Sequence, residues 1–286
     1  MNKAIVAERL TYHYGTLTAV NQISFSVGEG EILGFLGPNG AGKSTTVKML
    51  TGQLLPAAGR VEILGLDVTK QPKAIQAQIG ICFENANLYE PLTAVSNLNL
   101  FAQLFGVKDF EAEALLERVG LGGKGHLRVE TFSKGMRQRL MVARALVNQP
   151  RILFLDEPTT GLDPVSAATI QSIIREEQAR GTTVFLTTHD MVEADKLSTR
   201  VAFINQGQIV ALDTPHNLKQ QYGRRALKAE LLTADGRLES REINLDGPET
   251  ADTVRQLLAE ENVVTLHSEE ATLEDIFIQI TGRGLT

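Results

Sequence analysis

Cysteine is almost absent: of 286 residues only Cys82 carries a thiol. That excludes an internal disulfide and any zinc site built from several cysteines, and it fits a reducing, cytosolic setting. Long apolar runs are missing too. No stretch approaches the ~20 residues that a membrane-spanning helix requires, and the run from Ala4 to Ala7, closed by Glu8 and Arg9, is too short for the apolar part of a signal peptide. Such a chain is expected to serve a membrane only through a partner. Positive charge is not in excess either, since 28 Lys and Arg stand against 34 Asp and Glu, a balance of −6. A protein that coats nucleic acid would have the opposite sign, so no nucleic-acid partner is expected. There is no repeat of 20–50 residues, no low-complexity tract and no sustained heptad, which sets aside solenoids and long coiled coils.

What is present is a globular composition, 43% hydrophobic and 22% charged, at a length that suits two domains or one α/β domain with an appendage. Short apolar runs at 31–36, 79–83, 152–155, 184–187 and 201–204 are bounded by Gly, Pro, Asn or Asp and read as buried strands. Between Glu84 and Phe132 the period changes to that of helices. Leu98, Phe101, Ala102 and Phe105 share one face, and Ala112, Leu115, Leu116 and Val119 share another that ends at Gly120. An inserted helical subdomain is expected over about 84–150. After Gly223 the pattern changes again: a hairpin (227–232 and 238–245 about Asp235-Gly236), a helix at 254–259, a strand at 263–267, and a helix opened by a capping box at Thr272–Asp275 and stopped at Gly282. The expected domains are therefore 1–223 and a small α+β appendage, 224–286.

Gly37-Pro38-Asn39-Gly40-Ala41-Gly42-Lys43-Ser44 follows an apolar strand and leads through Thr45 into a helix, the pattern G-x-x-x-x-G-K-[ST]. Densely charged phosphates need many donors close together. A glycine loop turns its amides inward, the helix N-terminus adds about half a positive charge, Lys43 reaches the outer phosphates, and Ser44 is placed to ligate Mg²⁺. The strand 152–155 ends in Asp156 and Glu157, at the end of an open sheet where ligands bind. Because strand neighbours point opposite ways, Asp156 is expected to hold Mg²⁺ through its hydration shell and Glu157 to face a water as general base. The strand through 182–188 delivers His189 to the same edge.

Together these spacings resemble the ATP-binding cassette (ABC) family, whose nucleotide-binding subunits power membrane transporters, over residues 5–223. The family's signature segment, usually Leu-Ser-Gly-Gly-Gln, aligns with Phe132-Ser133-Lys134-Gly135-Met136, and Arg137-Gln138-Arg139-Leu140 continues it. Locally, Ser133 reads as the N-cap of a helix with Leu140, Ala143 and Leu146 on its apolar face. The resemblance implies a P-loop NTPase core, ATP and Mg²⁺, and a head-to-tail homodimer. In that dimer each nucleotide lies between one chain's loop and Ser133 and Gly135 of the other. It also implies an integral membrane permease, of ABC-2 type, and a place at the cytoplasmic face of the membrane. Tyr14 resembles the aromatic that stacks on adenine, with Tyr12 as a rival. Asp163 resembles the acidic residue of the loop that meets the second subunit, His189 the switch histidine, and Pro158-Thr159-Thr160 the turn between them. Glu84 stands where most members have a glutamine that contacts Mg²⁺. Lys134 and Met136 also depart from the usual signature. These changes, with Thr272–Phe277 and Thr281-Gly282-Arg283, resemble the exporter branch that includes daunorubicin-resistance subunits. The expected function is an ATPase subunit of an exporter; the alternative is a soluble cassette ATPase that remodels DNA or ribosomes.

Overall fold

Two strands of twelve residues, β1 (Lys3–Tyr14) and β2 (Leu17–Gly28), open the chain as an antiparallel pair that the apolar pattern does not announce. The reason is local. Register shifts between Ala7 and Leu10, together with left-handed backbone at Arg9 (φ 48°) and Gln22 (φ 51°), break the two-residue period. The chain then forms β3 (Ile32–Leu36), α1 (Lys43–Leu50), β4 (Ala58–Ile63), β5 (Leu66–Asp67), α2 (Pro72–Gln76) and β6 (Ile79–Cys82). β4 pairs with β1 and β5 with β4, giving a four-stranded sheet in the order β2-β1-β4-β5. The computed structural model describes residues 2–85, 87–223, 226–233, 235–244, 250–259, 262–269 and 271–282.

Helices follow: α3 (Ala94–Phe105), capped by Thr93, whose hydroxyl accepts from Ser96 N, then α4 (Ala112–Arg118) and α5 (Lys134–Leu146). Their expected faces are largely buried, with one correction: Leu98 and Ala102 are in the core and Phe101 is half-buried, but Phe105 is exposed. The remaining elements of this part are β7 (Ile152–Asp156), α6 (Pro164–Ala179), β8 (Thr183–Thr188), α7 (Met191–Leu197), β9 (Arg200–Asn205) and β10 (Gln208–Asp213).

All five strands read from the apolar runs enter one six-stranded sheet, in the order β10-β9-β3-β8-β7-β6, parallel except for β10. Both of its faces are covered, which is why its strands read as unbroken apolar runs. Leu153, Leu155, Val184 and Leu186 join a core with α3 to α6, whereas Ile152, Phe154, Phe185 and Phe35 join one with β1, β2, β4 and α1. α5 packs on β6, α6, α3 and α4 and so ties the helical segment to the sheet.

The chain divides into two compact units, Met1–Asp213 and Thr214–Gly284. The second comprises α8 (Pro215–Tyr222), β11 (Ala226–Leu232), β12 (Leu238–Asn244), α9 (Thr250–Ala259), β13 (Val263–Glu269) and α10 (Leu273–Thr281). It begins ten residues before the change of composition at 224 because α8 packs on α10, a pairing that composition does not reveal. Its antiparallel sheet has the order β12-β11-β13, over Ala229, Leu231, Ile243 and Leu257. The capping box at Thr272 and Asp275 and the left-handed stop at Gly282 are as expected. Leu245 and Arg283 lie outside the described residues.

Candidate nucleotide-binding and hydrolytic site

The sheet order makes the site. β8 lies between β3 and β7, with Leu36 level with Thr188 and Asp156 level with Thr187, so the segments leaving these three strands emerge side by side. They carry Gly37–Ser44, Glu157 and His189.

The loop after β3 fits a phosphate cradle. At Gly37 a Cβ would sit 2.2 Å from the Ile204 carbonyl oxygen; at Gly42, with φ 109°, it would sit 2.5 Å from that of Ala19. Side chains at these positions would drive the loop from its seat. Gly42 is also the N-cap of α1 and offers no side chain to its first turn, which leaves that positive helix end to a ligand. Lys43 is buried and curls back: Nζ donates to the carbonyls of Gly37 (2.7 Å) and Pro38 (3.3 Å) and lies 3.2 Å from Glu157 Oε1.

Asp156 closes β7. Its Oδ1 accepts from Ser44 Oγ at 3.3 Å and from Thr187 Oγ1. Glu157 is where the expectation of strand alternation fails. The residue lies past the strand with φ 51°, a left-handed conformation that costs a non-glycine residue about 1–3 kcal/mol and is held only by surrounding structure. The holding bonds run from Glu157 N to Thr187 O (3.0 Å) and Thr187 Oγ1 (3.2 Å). The twist brings its carboxylate to Lys43, within the same cluster as Asp156 and Ser44, so the two acids do not simply face opposite sides.

The Glu157 carboxylate divides its oxygens. Oε2 accepts from Thr160 Oγ1 and lies against His189 Nδ1, both at 2.8 Å. Oε1 is buried and has no hydrogen bond of good geometry, although Lys43 Nζ is near. Burial favours the neutral acid, but the Thr160 hydrogen bond and the charges of Lys43 and His189 outweigh it and hold the pKa below the usual carboxylate value. Glu157 is therefore ionised at neutral pH with one unmet acceptor. His189 is about half exposed at the end of β8, with Nε2 left for another partner.

The other residues singled out fall nearby or apart. Tyr14 ends β1 with 46% of its surface exposed and lies edge-on to Tyr12, 4.9 Å between ring centroids, while Tyr12 packs against the core. Of the two, Tyr14 presents its ring to solvent, on the hairpin whose Ala19 carbonyl abuts Gly42. Asp163 caps α6 by accepting from Ser166 N at 2.9 Å, and the hydrogen bonds from Ser166 lower its pKa. Ser133 caps α5 as expected, accepting from Met136 N at 3.2 Å. Gly135 is required by packing, since a Cβ there would sit 2.6 Å from Ser166 Oγ. Lys134 keeps right-handed backbone within α5. Among the described residues no hydrogen bond or ion pair joins Ser133 or Gly135 to residues 37–44, and none joins the exposed Glu84 to Ser44 or Asp156. Thr187, Thr160 and Glu193 are functional neighbours that sequence reading passes over. Only the strand register, or the fold of the turn after Glu157, brings them in.

For Mg²⁺ the donors fit in part. Ser44 Oγ and Asp156 Oδ1 are neighbours, and no group of three His, Cys, Asp or Glu residues suited to a metal exists among the described residues. A hydroxyl and one carboxylate, with phosphate oxygens and water completing the shell, is how Mg²⁺ is commonly bound beside a nucleotide.

The family model described as "ABC transporter" matches residues 20–160. Over 298 aligned positions the chain is 43% identical to a fluoroquinolones export ATP-binding protein of Mycobacterium tuberculosis, covering 100% of this chain and 99% of the relative. It is 37% identical to the daunorubicin resistance ATP-binding protein DrrA2 of Streptomyces coeruleorubidus, covering 98% and 95%. Among solved structures, an ATP-binding subunit of an ABC transporter superposes with TM-score 0.71 at 29% identity, covering 77% of this chain and 93% of that one. A dimeric post-hydrolysis ATP-binding cassette bound to ADP and Pi gives 0.67 at 26%, covering 73% and 98%. The fold is thus that of the ABC ATPases, and the chain belongs to the ABC transporter family. It is an ATP-binding subunit of that family's exporter branch, and its activity is ATP hydrolysis.

Proposed function

We propose that this subunit drives export through a separate ABC-2 type permease, as a homodimer at the cytoplasmic face of the membrane that closes on MgATP and reopens after hydrolysis. The observation that carries the chemistry is the convergence of Lys43, Ser44, Asp156, Glu157 and His189 at one sheet edge. Gly37, Pro38, Asn39, Gly40, Ala41, Gly42 and Thr45 complete the cradle around the triphosphate, and Lys43 turns from the Gly37 carbonyl and Glu157 to the phosphate. Mg²⁺, held by Ser44 and Asp156, supplies charge neutralisation at the phosphate oxygens. Glu157 Oε1 accepts the proton of the attacking water while the bond from the γ-phosphorus to the bridging oxygen breaks and ADP departs. His189 steadies Glu157 through Nδ1 and offers Nε2 to the γ-phosphate. Tyr14 stacks on the adenine. Ser133 and Gly135 reach the phosphate of the partner copy, with Asp163 at that boundary. Glu84, exposed beyond β6, acts at Mg²⁺ only if its segment moves inward.

Permease docking is supported by a cavity of about 260 Å³ between the end of β6 and α3, lined by Phe83, Asn87, Phe101, Phe105 and Arg144 among others. Tyr89 and Leu104 are exposed in the same stretch of chain. The names of the relatives, for fluoroquinolones, daunorubicin and Nod factors, support export and leave the cargo to the permease. Against an ATPase that works on DNA or ribosomes stand those names and the net charge of −6. The decisive test of the site is Glu157→Gln. It is expected to retain ATP binding and lower kcat by about 10²-fold or more, as loss of a general base does; turnover at the native rate would overturn the assignment.

A further inference from the structure

Glu193 has no place in the chemistry above, yet it is almost completely buried, at 2% exposure, in α7 directly behind the hydrolytic edge. Its Oε1 accepts from Thr159 Oγ1 at 2.8 Å and from Gln171 Nε2 at 3.3 Å, while Oε2 is buried with no hydrogen-bond partner. The three residues come from three different elements. Thr159 lies in the turn after Glu157, next to Thr160, whose hydroxyl donates to Glu157 Oε2. Gln171 lies in α6, which Asp163 caps. Glu193 itself lies in the helix that Asp190 caps immediately after His189. A carboxyl group kept in such surroundings is expensive to bury, and an apolar residue of similar size would fill the space at less cost. What an apolar residue could not do is fix the Thr159 hydroxyl.

We propose that Glu193 is a positioning residue for hydrolysis, whose buried carboxyl locks the turn carrying Glu157 and Thr160 to α6 and α7. It thereby holds the base, the histidine and the Asp163 boundary in one geometry. It touches neither nucleotide nor metal and acts through Thr159. The proposal rests on Glu157 being the base. A brace that served stability alone would be needed equally in binding and turnover. A positioning residue is needed for turnover, because the left-handed backbone at Glu157 persists only while its surroundings impose it.

The experiment compares the full-length chain with Glu193→Ala, Glu193→Gln, Thr159→Val and the double variant Glu193→Ala/Thr159→Val, reading kcat, KM for ATP and Tm, with Glu157→Gln as reference. Glu193→Ala is expected to lower kcat about tenfold with KM for ATP within about twofold. Glu193→Gln, which keeps the acceptor at Oε1, is expected to recover at least about half of the native kcat. Thr159→Val is expected to lower kcat about threefold or more, and the double variant to be no slower than Glu193→Ala alone, as for two ends of one interaction. A folded Glu193→Ala protein with native kcat overturns the proposal, as do losses that multiply in the double variant. If Glu193→Ala does not fold, Thr159→Val decides, since it removes one hydroxyl, and native kcat there overturns it. Native turnover in Glu157→Gln would instead bring down the base assignment, a failure separate from that of the strut.

Discussion

The sheet has a buried carboxylate bridging two cationic side chains at each end, and the two are built for opposite ends. At the carboxyl edge, Glu157 lies between Lys43 and His189. At the other edge, Glu177 of α6 lies between Arg118 and Arg180. Glu177 is satisfied at both oxygens: Oε1 accepts from Arg118 and Arg180, and Oε2 from Thr182 Oγ1 at 3.1 Å. It lies in regular helix, and through Arg118 it ties α4 to the core. Glu157 has left-handed backbone, an unmet oxygen, and cations that are able to leave: Lys43 for a phosphate, His189 toward solvent. A closed ion-pair cluster holds structure together, and an unfinished one is ready for a substrate.

That contrast can be tested by breaking each side. The largest effect on binding is expected from Lys43→Ala, which should weaken nucleotide affinity at least about tenfold by removing the charge that meets the phosphates; titration with a fluorescent ATP analogue measures it. Next, Glu177→Ala leaves the Arg118 guanidinium half-buried and short of its main partner. It should cost about 3 kcal/mol and lower Tm by several degrees in calorimetry, with kcat at low temperature unchanged. If Glu177→Ala instead abolished turnover while leaving Tm in place, the two edges would not differ in kind.

A smaller effect concerns pH. Burial raises the pKa of Glu193, against the lowering effect of its hydrogen bonds from Thr159 and Gln171. A carboxyl whose folded pKa lies above its unfolded value is most stabilising when protonated, and stability is lost as pH rises through the folded pKa. The Tm of Glu193→Gln minus that of the native chain should therefore grow from about pH 4.5 upward and level off above the raised pKa. A difference that shrinks with rising pH would contradict the burial argument.

The legible parts of the molecule are those where chemistry is written in adjacent residues. Gly37–Ser44 encodes its own turn and helix start, and the doubly covered strands are continuous apolar words. The cap at Ser133 and the box at Thr272 are visible for the same reason. β1 and β2 were not legible because bulges at Arg9 and Gln22 scramble their alternation. The direction of Glu157 was misread because alternation holds within a strand and the residue lies one step past its end. Thr187 and Glu193 could not be read at all: their partners are 31 and 34 residues away in the chain, and only sheet register and helix packing bring them together.

The central claim is that the edge holding Lys43 and Glu157 is completed by Ser133 and Gly135 of a second copy, and light scattering on Glu157→Gln tests it most directly. With MgATP the mass should double from the 31.2 kDa of one chain, return to one chain when nucleotide is removed, and fail to double when Ser133→Arg is added although ATP still binds. A particle that stays at one chain's mass with saturating MgATP, across all protein concentrations, would contradict the account.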